Sequence, residues 1–305
     1  MADGGVATIG SSKLHAAMQE MARDIDHAFD LLLAQPDDPR RRLYEAMRHA
    51  AIGGGKRLRP LLVKATGDLF HLDPQHVIRV GLAVECIHVY SLVHDDLPAM
   101  DDDDMRRGKP TVHRAFDEAS AILAGDCLHD LAFGILADEA THPDPFIRCE
   151  LVRALAQASG PNGMAGGQMM DIAAETQSFD LSTVTRLQQL KTGAIIGFCV
   201  EAAAIMGHVP PEARKGLRGY ARDIGLAFQI ADDLLDVEGD AALAGKALGK
   251  DAEAGKQTFV SLLGVERARQ QAHMLVEQGK AHLHGYDTRA DLLRAIAEYV
   301  IERDR

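Results

Sequence analysis

The chain has 305 residues and a formal net charge of −12 at pH 7, with 47% hydrophobic and 26% charged residues. The acidic balance, with no basic stripe to compensate it, disfavours a nucleic-acid partner. No run of about 18 apolar residues occurs, which predicts no membrane span. The N-terminus has no basic start followed by an apolar stretch, so no signal peptide is predicted. The four cysteines form no C-x-x-C pair, which favours reduced thiols and a cytoplasmic protein.

Almost every segment has helical hydrophobic periodicity, and no alternating β pattern persists. The pattern predicts helices over residues 14–34, 40–51, 59–70, 75–94, 119–140, 145–159, 164–177, 181–206, 211–237, 259–279 and 287–301. The Gly-, Ala- and Lys-rich stretch 239–256 is the longest segment without periodicity, and loops of this length often act as lids. No repeat or linker is visible. One all-α domain over residues 1–305 is therefore predicted.

An aspartate cluster follows the long apolar helix predicted over residues 75–94. Six of the ten residues from Asp95 to Asp104 are aspartates. Unit charges about 4 Å apart repel by roughly 1 kcal/mol in water and by roughly 4 kcal/mol at an effective dielectric constant near 20. A solvated acidic loop is the ordinary interpretation of such a run. Here, however, the carboxylates lie at the rim of something buried, and hard oxygen ligands of this kind suit Mg²⁺.

A second acidic cluster lies more than a hundred residues further on, in the helix predicted over residues 211–237. Asp232 and Asp236 are four residues apart, so they lie on one helix face, one turn from each other. Gln229 precedes Asp232 by three residues and shares that face. Two carboxylate clusters that faced each other across a cavity could hold several Mg²⁺ ions and, through them, a diphosphate.

The two aspartate clusters, together with the upstream segment Gly54-Gly55-Lys56-Arg57-Leu58-Arg59-Pro60, resemble the trans-isoprenyl diphosphate synthases, or polyprenyl synthetases. The shared pattern continues through residues 249–251 and 256–258 to the C-terminal residues 299–305. It is closest to the farnesyl-producing bacterial members. The resemblance implies the isoprenoid synthase fold, a bundle of about ten or more helices around a deep central cavity, and a homodimer.

The spacing inside the first cluster needs a break in the helix. Six residues turn a strict helix by about 240°, which would misplace Asp101 relative to Asp95. Pro98 must disturb the helix, and a bulge there could return Asp101 towards Asp95. The resemblance implies that two or three Mg²⁺ ions, with Mn²⁺ as a substitute, bind to Asp95, Asp96, Asp101, Asp232 and Asp236.

Cations beside a glycine-rich turn at a helix start suit phosphate binding, although solvated surface lysines and arginines are the ordinary interpretation. The resemblance implies that the diphosphate of isopentenyl diphosphate binds to Lys56, Arg59, His88 and Arg107. It implies that the diphosphate of the allylic substrate binds to Arg106, Lys191, Lys246 and Lys256. It assigns catalysis to Lys191, Thr192 and Gln229, of which Thr192 and Gln229 would face the developing carbocation. Gln168 and Asp171 match a family Gly-Gln-x-x-Asp pattern, without an assigned role.

Tyr90 is the candidate that sets product length. It lies five residues before Asp95, about 7.5 Å deeper along the helix axis at 1.5 Å per residue. An ordinary core position is the alternative for this tyrosine. An aromatic residue at this offset resembles the farnesyl-producing members, in which it would form the floor under the growing hydrocarbon.

The resemblance predicts an enzyme that condenses isopentenyl diphosphate head-to-tail with dimethylallyl and geranyl diphosphates to give farnesyl diphosphate. A geranylgeranyl diphosphate synthase of the same fold is the alternative. A terpene cyclase is disfavoured, because cyclases typically replace the second aspartate cluster and lack the site at Lys56 and Arg59. A non-catalytic subunit of a heteromeric synthase usually has one degraded cluster, and both clusters are intact here.

Overall fold

The structure, a computed structural model, describes residues 4–238 and 256–302. The all-α prediction is confirmed, since the described chain is built almost entirely of helices. These are α1 (Gly4–Leu32), α2 (Arg41–Ala51), α3 (Leu58–Leu69), α4 (Pro74–Asp95), α5 (Val112–Ala115), α6 (Glu118–Ala137), α7 (Pro145–Ser159), α8 (Met164–Ala173), α9 (Leu181–Gln188), α10 (Ala194–Met206), α11 (Lys215–Glu238), α12 (Phe259–Leu263), α13 (Val265–Ala281) and α14 (Asp291–Glu302). A short 3₁₀ turn, Thr288–Ala290, leads into α14.

Two predicted helices are interrupted in the structure. The helix predicted over residues 181–206 contains a π-helical turn, Gln189–Gly193, between α9 and α10. The helix predicted over residues 259–279 is divided at Gly264, whose φ of +80° is a left-handed conformation that ends α12 and starts α13. Hydrophobic periodicity does not reveal either break, because one is a single residue and the other a turn of five residues.

The described chain groups into two compact units. One unit contains residues 15–64 and 73–152, and in it α4 packs along α6. The other contains, of the described residues, 4–14, 65–72, 153–238 and 256–302, and in it α11 packs along α13. The Tyr220 hydroxyl, fully buried there, donates to the Leu293 carbonyl at 2.7 Å. The single domain over residues 1–305 stays a prediction.

A hairpin that hydrophobic periodicity did not predict follows the first aspartate cluster. Its strands are β1 (Met105–Arg106) and β2 (Lys109–Pro110), paired antiparallel with Arg106 opposite Lys109. The connecting residues Arg107 and Gly108 have φ values of +52° and +75°. Positive φ at both central residues is the requirement of a type I′ turn, for which a glycine at the second position is the sequence signal. The hairpin therefore presents Arg106 and Arg107 at a fixed tight turn.

A buried arginine ties the glycine turn before α3 to α4. Arg57 is 2% exposed and pairs with Glu85, also 2% exposed, at 2.7 Å, and with Asp26 at 2.6 Å. Its guanidinium also donates to the Ala51 carbonyl and lies 5.6 Å from the centre of the Phe29 ring. Arg57 itself has a φ of +49°, so this network holds the backbone in the left-handed region.

Three helical segments are long and apolar enough to cross a membrane by length and composition alone: Pro74–Asp95, Glu118–Ala137 and Leu181–Met206. Of their most apolar windows, 61%, 39% and 56% respectively is buried inside the protein. Part of each apolar segment is therefore packed in the interior of the protein. Length and composition do not establish a span, so the absence of a membrane span stays a prediction.

The buried ion pair gives a first prediction. Glu85→Gln leaves the buried Arg57 guanidinium with one carboxylate, that of Asp26, and we expect it to lower the free energy of unfolding by roughly 3 kcal/mol. Urea denaturation measures this. Glu45→Gln is the matched control, since it removes an exposed pair with Arg41 at 3.0 Å and should cost less than about 0.5 kcal/mol. Equal effects of the two substitutions would contradict the stabilising role of the Glu85 pair.

Candidate active site

The end of α4 turns back on itself as the aspartate spacing requires. The helix ends at Asp95, and the Asp101 backbone N–H donates to the Asp95 carbonyl at 2.8 Å. The Asp102 backbone N–H donates to the Leu97 carbonyl at 3.2 Å, and Asp102 has a φ of +48°. The bulge predicted at Pro98 is therefore present, and it brings the backbones of Asp95 and Asp101 together.

Asp96 has a different environment from its neighbours. It is 3% exposed, and the Arg106 guanidinium contacts its carboxylate at 2.6 Å. Arg106 also lies 3.5 Å from Asp103. Burial raises the pKa of Asp96, and the hydrogen bond and charge of Arg106 only partly offset this. Asp96 is predicted as a metal ligand and Arg106 as a ligand of the allylic diphosphate. In this structure the two side chains form an ion pair with each other.

Two further aspartates of the first cluster contact a second arginine. Arg114 pairs with Asp104 and, at 3.3 Å, with Asp102. Among the described residues no three His, Cys, Asp or Glu side chains converge closely enough to form a metal centre. The donor chemistry of Asp95 and Asp101, and of Asp232 and Asp236 on α11, nevertheless fits Mg²⁺, which takes one or two carboxylates together with waters and substrate phosphates.

Four arginines lie within electrostatic range of one histidine on α4. His88 Nε2 lies 3.4 Å from the Arg107 guanidinium. Burial and the charges of Arg59, Arg107, Arg106 and Arg57 hold the pKa of His88 well below its usual range, so the imidazole is neutral at pH 7. A concentration of positive charge that keeps a histidine neutral is a strong attractor for an anion.

Three of the four residues predicted for the isopentenyl substrate are thereby brought together: Arg59, His88 and Arg107. Lys56 precedes Arg59 by three residues in the same segment. The Nε of Arg59 is buried without a hydrogen-bond partner in the described part of the chain. An orphaned guanidinium N–H is costly unless a ligand satisfies it, and a diphosphate oxygen is a suitable acceptor.

The glycine turn makes room for this cationic cluster. A Cβ atom on Gly55 would lie 2.7 Å from the Arg107 guanidinium, and one on Gly54 would lie 3.2 Å from the Arg107 side chain. Gly55 also has a φ of +84°. A cavity of about 50 Å³ lies beside the turn, lined by Gly53, Gly54, Arg107 and Lys109 among others. Glycine is needed here for both conformation and space.

In the unit that contains α8 and α11, two lysines contact one aspartate. Lys191 and Lys256 both contact the same oxygen of Asp171, at 2.8 and 3.0 Å. Although burial opposes it, the two ammonium groups lower the pKa of Asp171, so this carboxyl is ionised at neutral pH. The sequence assigned no role to Asp171. The structure shows that it fixes two predicted ligands of the allylic diphosphate.

Lys191 and Thr192 lie in the π-helical turn Gln189–Gly193. The Thr192 hydroxyl donates to Gln229 Oε1 at 3.2 Å, and Gln229 Nε2 donates to Asp233 at 3.2 Å. Asp233 is buried, and its other oxygen accepts the backbone N–H of Phe259 at 2.9 Å. The π turn therefore carries Lys191 and Thr192, and hydrogen bonds from Thr192 and to Asp233 orient the Gln229 amide.

Asp232 and Asp236 lie half-buried on α11, one turn apart, as predicted. Between them, Asp233 is the aspartate that the fold uses internally. Lys246 and most of the 239–256 stretch lie outside the described residues, so the predicted lid and the role of Lys246 stay predictions.

A profile of the polyprenyl synthetase family matches residues 40–293. The chain belongs to the polyprenyl synthetase family. It is 47% identical over 271 residues to a farnesyl diphosphate synthase of Escherichia coli, covering 86% of this chain and 89% of that protein. It is 38% identical over 298 residues to a farnesyl diphosphate synthase of Bacillus subtilis, covering 96% of this chain and 99% of that protein.

Solved structures show the same fold. The crystal structure of a synthase from Zymomonas mobilis, described as an FPP/GFPP synthase, superposes with a TM-score of 0.87 at 58% identity, covering 95% of this chain and 99% of that one. A geranylgeranyl pyrophosphate synthetase from Pyrococcus horikoshii superposes with a TM-score of 0.86 at 30% identity, covering 96% and 99%. The isoprenoid synthase fold expected from the two aspartate clusters is confirmed.

The π turn that carries Lys191 gives a second prediction. A Cβ atom on Gly167 would lie 2.2 Å from the Lys191 backbone nitrogen and 2.5 Å from its Cα. Because backbone atoms cannot step aside as a flexible side chain can, we expect Gly167→Ala to cost about 1–3 kcal/mol of stability. Gly197→Ala in α10 is the matched control, since nothing lies within 4 Å of its Cβ position, and it should be neutral or stabilise by up to about 1 kcal/mol.

Urea denaturation of both variants measures the difference. If Gly167→Ala were as stable as Gly197→Ala, the packing of α8 against the π turn would not hold that turn in place.

Proposed function

We propose that this polyprenyl synthetase is a farnesyl diphosphate synthase, which condenses isopentenyl diphosphate with dimethylallyl diphosphate and then with geranyl diphosphate. The observation that carries the proposal is the arginine cluster around the neutral His88, beside the aspartate-rich end of α4. This arrangement suits a diphosphate. The relatives named farnesyl diphosphate synthase at 38% and 47% identity support the same activity.

The half of the site formed by Arg59, His88 and Arg107, with Lys56, would bind the diphosphate of isopentenyl diphosphate. Arg59 supplies a buried N–H that has no acceptor in the described chain. A neutral His88 donates or accepts a hydrogen bond without adding charge, and the surrounding guanidinium groups supply the cationic field. Binding there leaves the alkene free to act as the nucleophile.

The half of the site formed by Lys191 and Lys256 would bind the diphosphate of the allylic substrate. Asp171 holds both ammonium groups at one point, so they are pre-organised before the substrate arrives, which lowers the entropic cost of binding. Mg²⁺ bound to Asp95 and Asp101 in one unit, and to Asp232 and Asp236 in the other, would supply Lewis-acid neutralisation of the leaving diphosphate. Asp96, paired with Arg106, is the weakest of the proposed ligands.

The developing allylic cation would be stabilised by oriented dipoles. The Thr192 hydroxyl donates a hydrogen bond to Gln229 Oε1, which leaves the lone pairs of the hydroxyl oxygen for the cation. Gln229 is fixed in turn by the buried Asp233. Oriented oxygen atoms of this kind stabilise positive charge without reorganising at the moment of reaction. Apolar surroundings would keep water from trapping the cation.

Longer products are the second candidate. The Zymomonas mobilis relative at 58% identity is described as an FPP/GFPP synthase, and a relative in Capsicum annuum at 40% identity is a geranylgeranyl pyrophosphate synthase. We propose farnesyl diphosphate as the product because Tyr90 lies half-buried on α4 below Asp95. A homodimer in the cytoplasm is part of the same proposal and rests on the family resemblance and the reduced cysteines.

Product analysis tests the proposal directly. Incubation of the purified protein with labelled isopentenyl diphosphate, Mg²⁺ and each allylic primer should give a 15-carbon diphosphate, identified by chromatography. Chelation of the divalent cation should abolish turnover. Cyclised hydrocarbons, or no turnover with any primer, would overturn the proposed function, and a 20- or 25-carbon main product would favour the second candidate.

The two halves of the site give a separate prediction. Arg59→Ala or Lys56→Ala should raise the KM for isopentenyl diphosphate by roughly 10- to 150-fold, because one charge-assisted contact contributes about 1.5–3 kcal/mol. Asp95→Ala should instead abolish turnover, because it removes a carboxylate needed for ionisation. Steady-state kinetics with each substrate varied measures both effects. Lys13→Ala, an exposed lysine on α1, is the control and should change neither constant.

If Lys56→Ala weakened only the allylic substrate, the assignment of the two diphosphates to the two halves would be wrong.

A further inference from the structure

A stack of aromatic rings joins α4 to α6. Tyr90 on α4 meets His129 on α6 edge-to-face, with ring centres 5.1 Å apart at an interplanar angle of 88°. His129 in turn meets Phe133, one turn further along α6, at 5.0 Å. On its other side Tyr90 meets His94 at 5.6 Å and 84°. Each contact has the geometry in which aromatic pairs attract.

The order of these rings follows from the antiparallel packing of the two helices. His94 contacts α6 at Gly125, where a Cβ atom would lie 2.1 Å from the His94 ring. Tyr90, one turn earlier on α4, contacts His129, one turn later on α6. With increasing distance from Asp95 along α4, His94 therefore comes first and the pair of Tyr90 and His129 second. Phe133 lies one turn of α6 beyond that pair.

The Tyr90 ring lies within electrostatic reach of the aspartate end of α4. Its pKa is raised, first by burial and then by the charge of Asp95. The ring is thus partly desolvated and within electrostatic range of the carboxylate that would mark the diphosphate end of the site. A ring in this position blocks a growing chain only if it keeps its orientation, because a half-buried tyrosine can otherwise change rotamer at low cost.

We propose that His129 is a specificity-determining positioning residue: its ring holds Tyr90 across the path of the product and so limits the product to 15 carbons. This inference rests on the proposed function and extends it to a residue on a different helix. Phe133 supports His129 from the far side. His94 contacts Tyr90 too, but it lies next to the proposed metal ligands, so His129 is the partner that can be changed without touching them.

The test is the product distribution of His129→Ala, measured as the ratio of 20-carbon and longer products to the 15-carbon product. The energy of one aromatic contact corresponds to a shift of roughly 2- to 12-fold in such a ratio. We expect a shift of this size towards longer products. Because 39% of the His129 side chain is exposed, its truncation leaves no large internal cavity. His129→Phe retains a ring and should restore the wild-type ratio.

A matched control is available on the same helix. His76, near the start of α4, makes a tilted ring contact with His142, with ring centres 5.7 Å apart at an interplanar angle of 54°, but it lies 14 residues before Tyr90. His76→Ala should leave the product ratio unchanged. An equal shift in His76→Ala would show a general loosening of α4 and would overturn the inference.

A double-mutant cycle shows whether His129 acts through Tyr90. Tyr90→Ala should lengthen the product, and His129→Ala should then add nothing further in that background. A full, additive effect of His129→Ala on top of Tyr90→Ala would overturn the inference, as would an unchanged 15-carbon product from His129→Ala itself. Phe133→Ala, which removes the support of His129, gives an independent measurement in the same direction should His129→Ala fail to fold.

The failures of the two proposals are distinguishable. A wild-type protein that forms no prenyl diphosphate would overturn the proposed function. A wild-type protein that makes farnesyl diphosphate, with a His129→Ala variant that makes the same product at the same ratio, would overturn only the role of His129.

Discussion

Four arginines are held within electrostatic range of the same histidine, and their mutual repulsion has to be balanced by neighbouring carboxylates. Four arginines raise the positive potential at His88: Arg57, Arg59, Arg106 and Arg107. Ion pairs with carboxylates offset the repulsion for two of them. Arg57 is buried against Glu85 and Asp26, and Arg106 lies on Asp96. The internal carboxylates thus hold the cluster together, while Arg59 keeps a buried N–H without an acceptor in the described chain.

The same arrangement recurs with different residues in the other unit. There one carboxylate, Asp171, holds two lysines, and a second, Asp233, holds an amide and a backbone N–H. In this second unit, acidic residues that are not proposed metal ligands orient the groups that would meet the substrate. Substitution of such a residue would disturb the site without removing any group that touches a substrate.

Much of the fold and of the site could be predicted from the sequence. Helical periodicity located the helices, because each buries an apolar face, and α7 has the predicted bounds. The bulge at Pro98 could be anticipated because the proline cannot continue the hydrogen-bond ladder. The aspartate clusters could be found from the sequence because six of the ten residues from Asp95 to Asp104 are aspartates, and because Asp232 and Asp236 lie one helical turn apart further along the chain.

The remaining features depend on contacts between distant residues. Nothing local in the sequence shows that Arg57 is buried in an ion-pair network with Glu85 and Asp26, which lie 28 and 31 residues away. Nor does it show that the Nε atoms of both Arg57 and Arg59 are buried without a partner among the described residues. Asp171 is an isolated acid in the sequence, and its two lysines are 20 and 85 residues away. The hairpin at Arg107-Gly108 had a local signal, a glycine after a residue that must adopt positive φ, but its strands are too short for an alternating pattern to form.

The π-helical turn at Gln189–Gly193 has a consequence for how the gene can change. Such a turn contains one residue more than an α-helix would in the same length. Deletion of a single codon there would restore a continuous α-helix from Leu181 to Met206 and would remove the widened turn that carries Lys191 and Thr192. Lys191 would leave Asp171, and Thr192 would leave Gln229. This segment should therefore tolerate substitution at several positions, but not a change in its length.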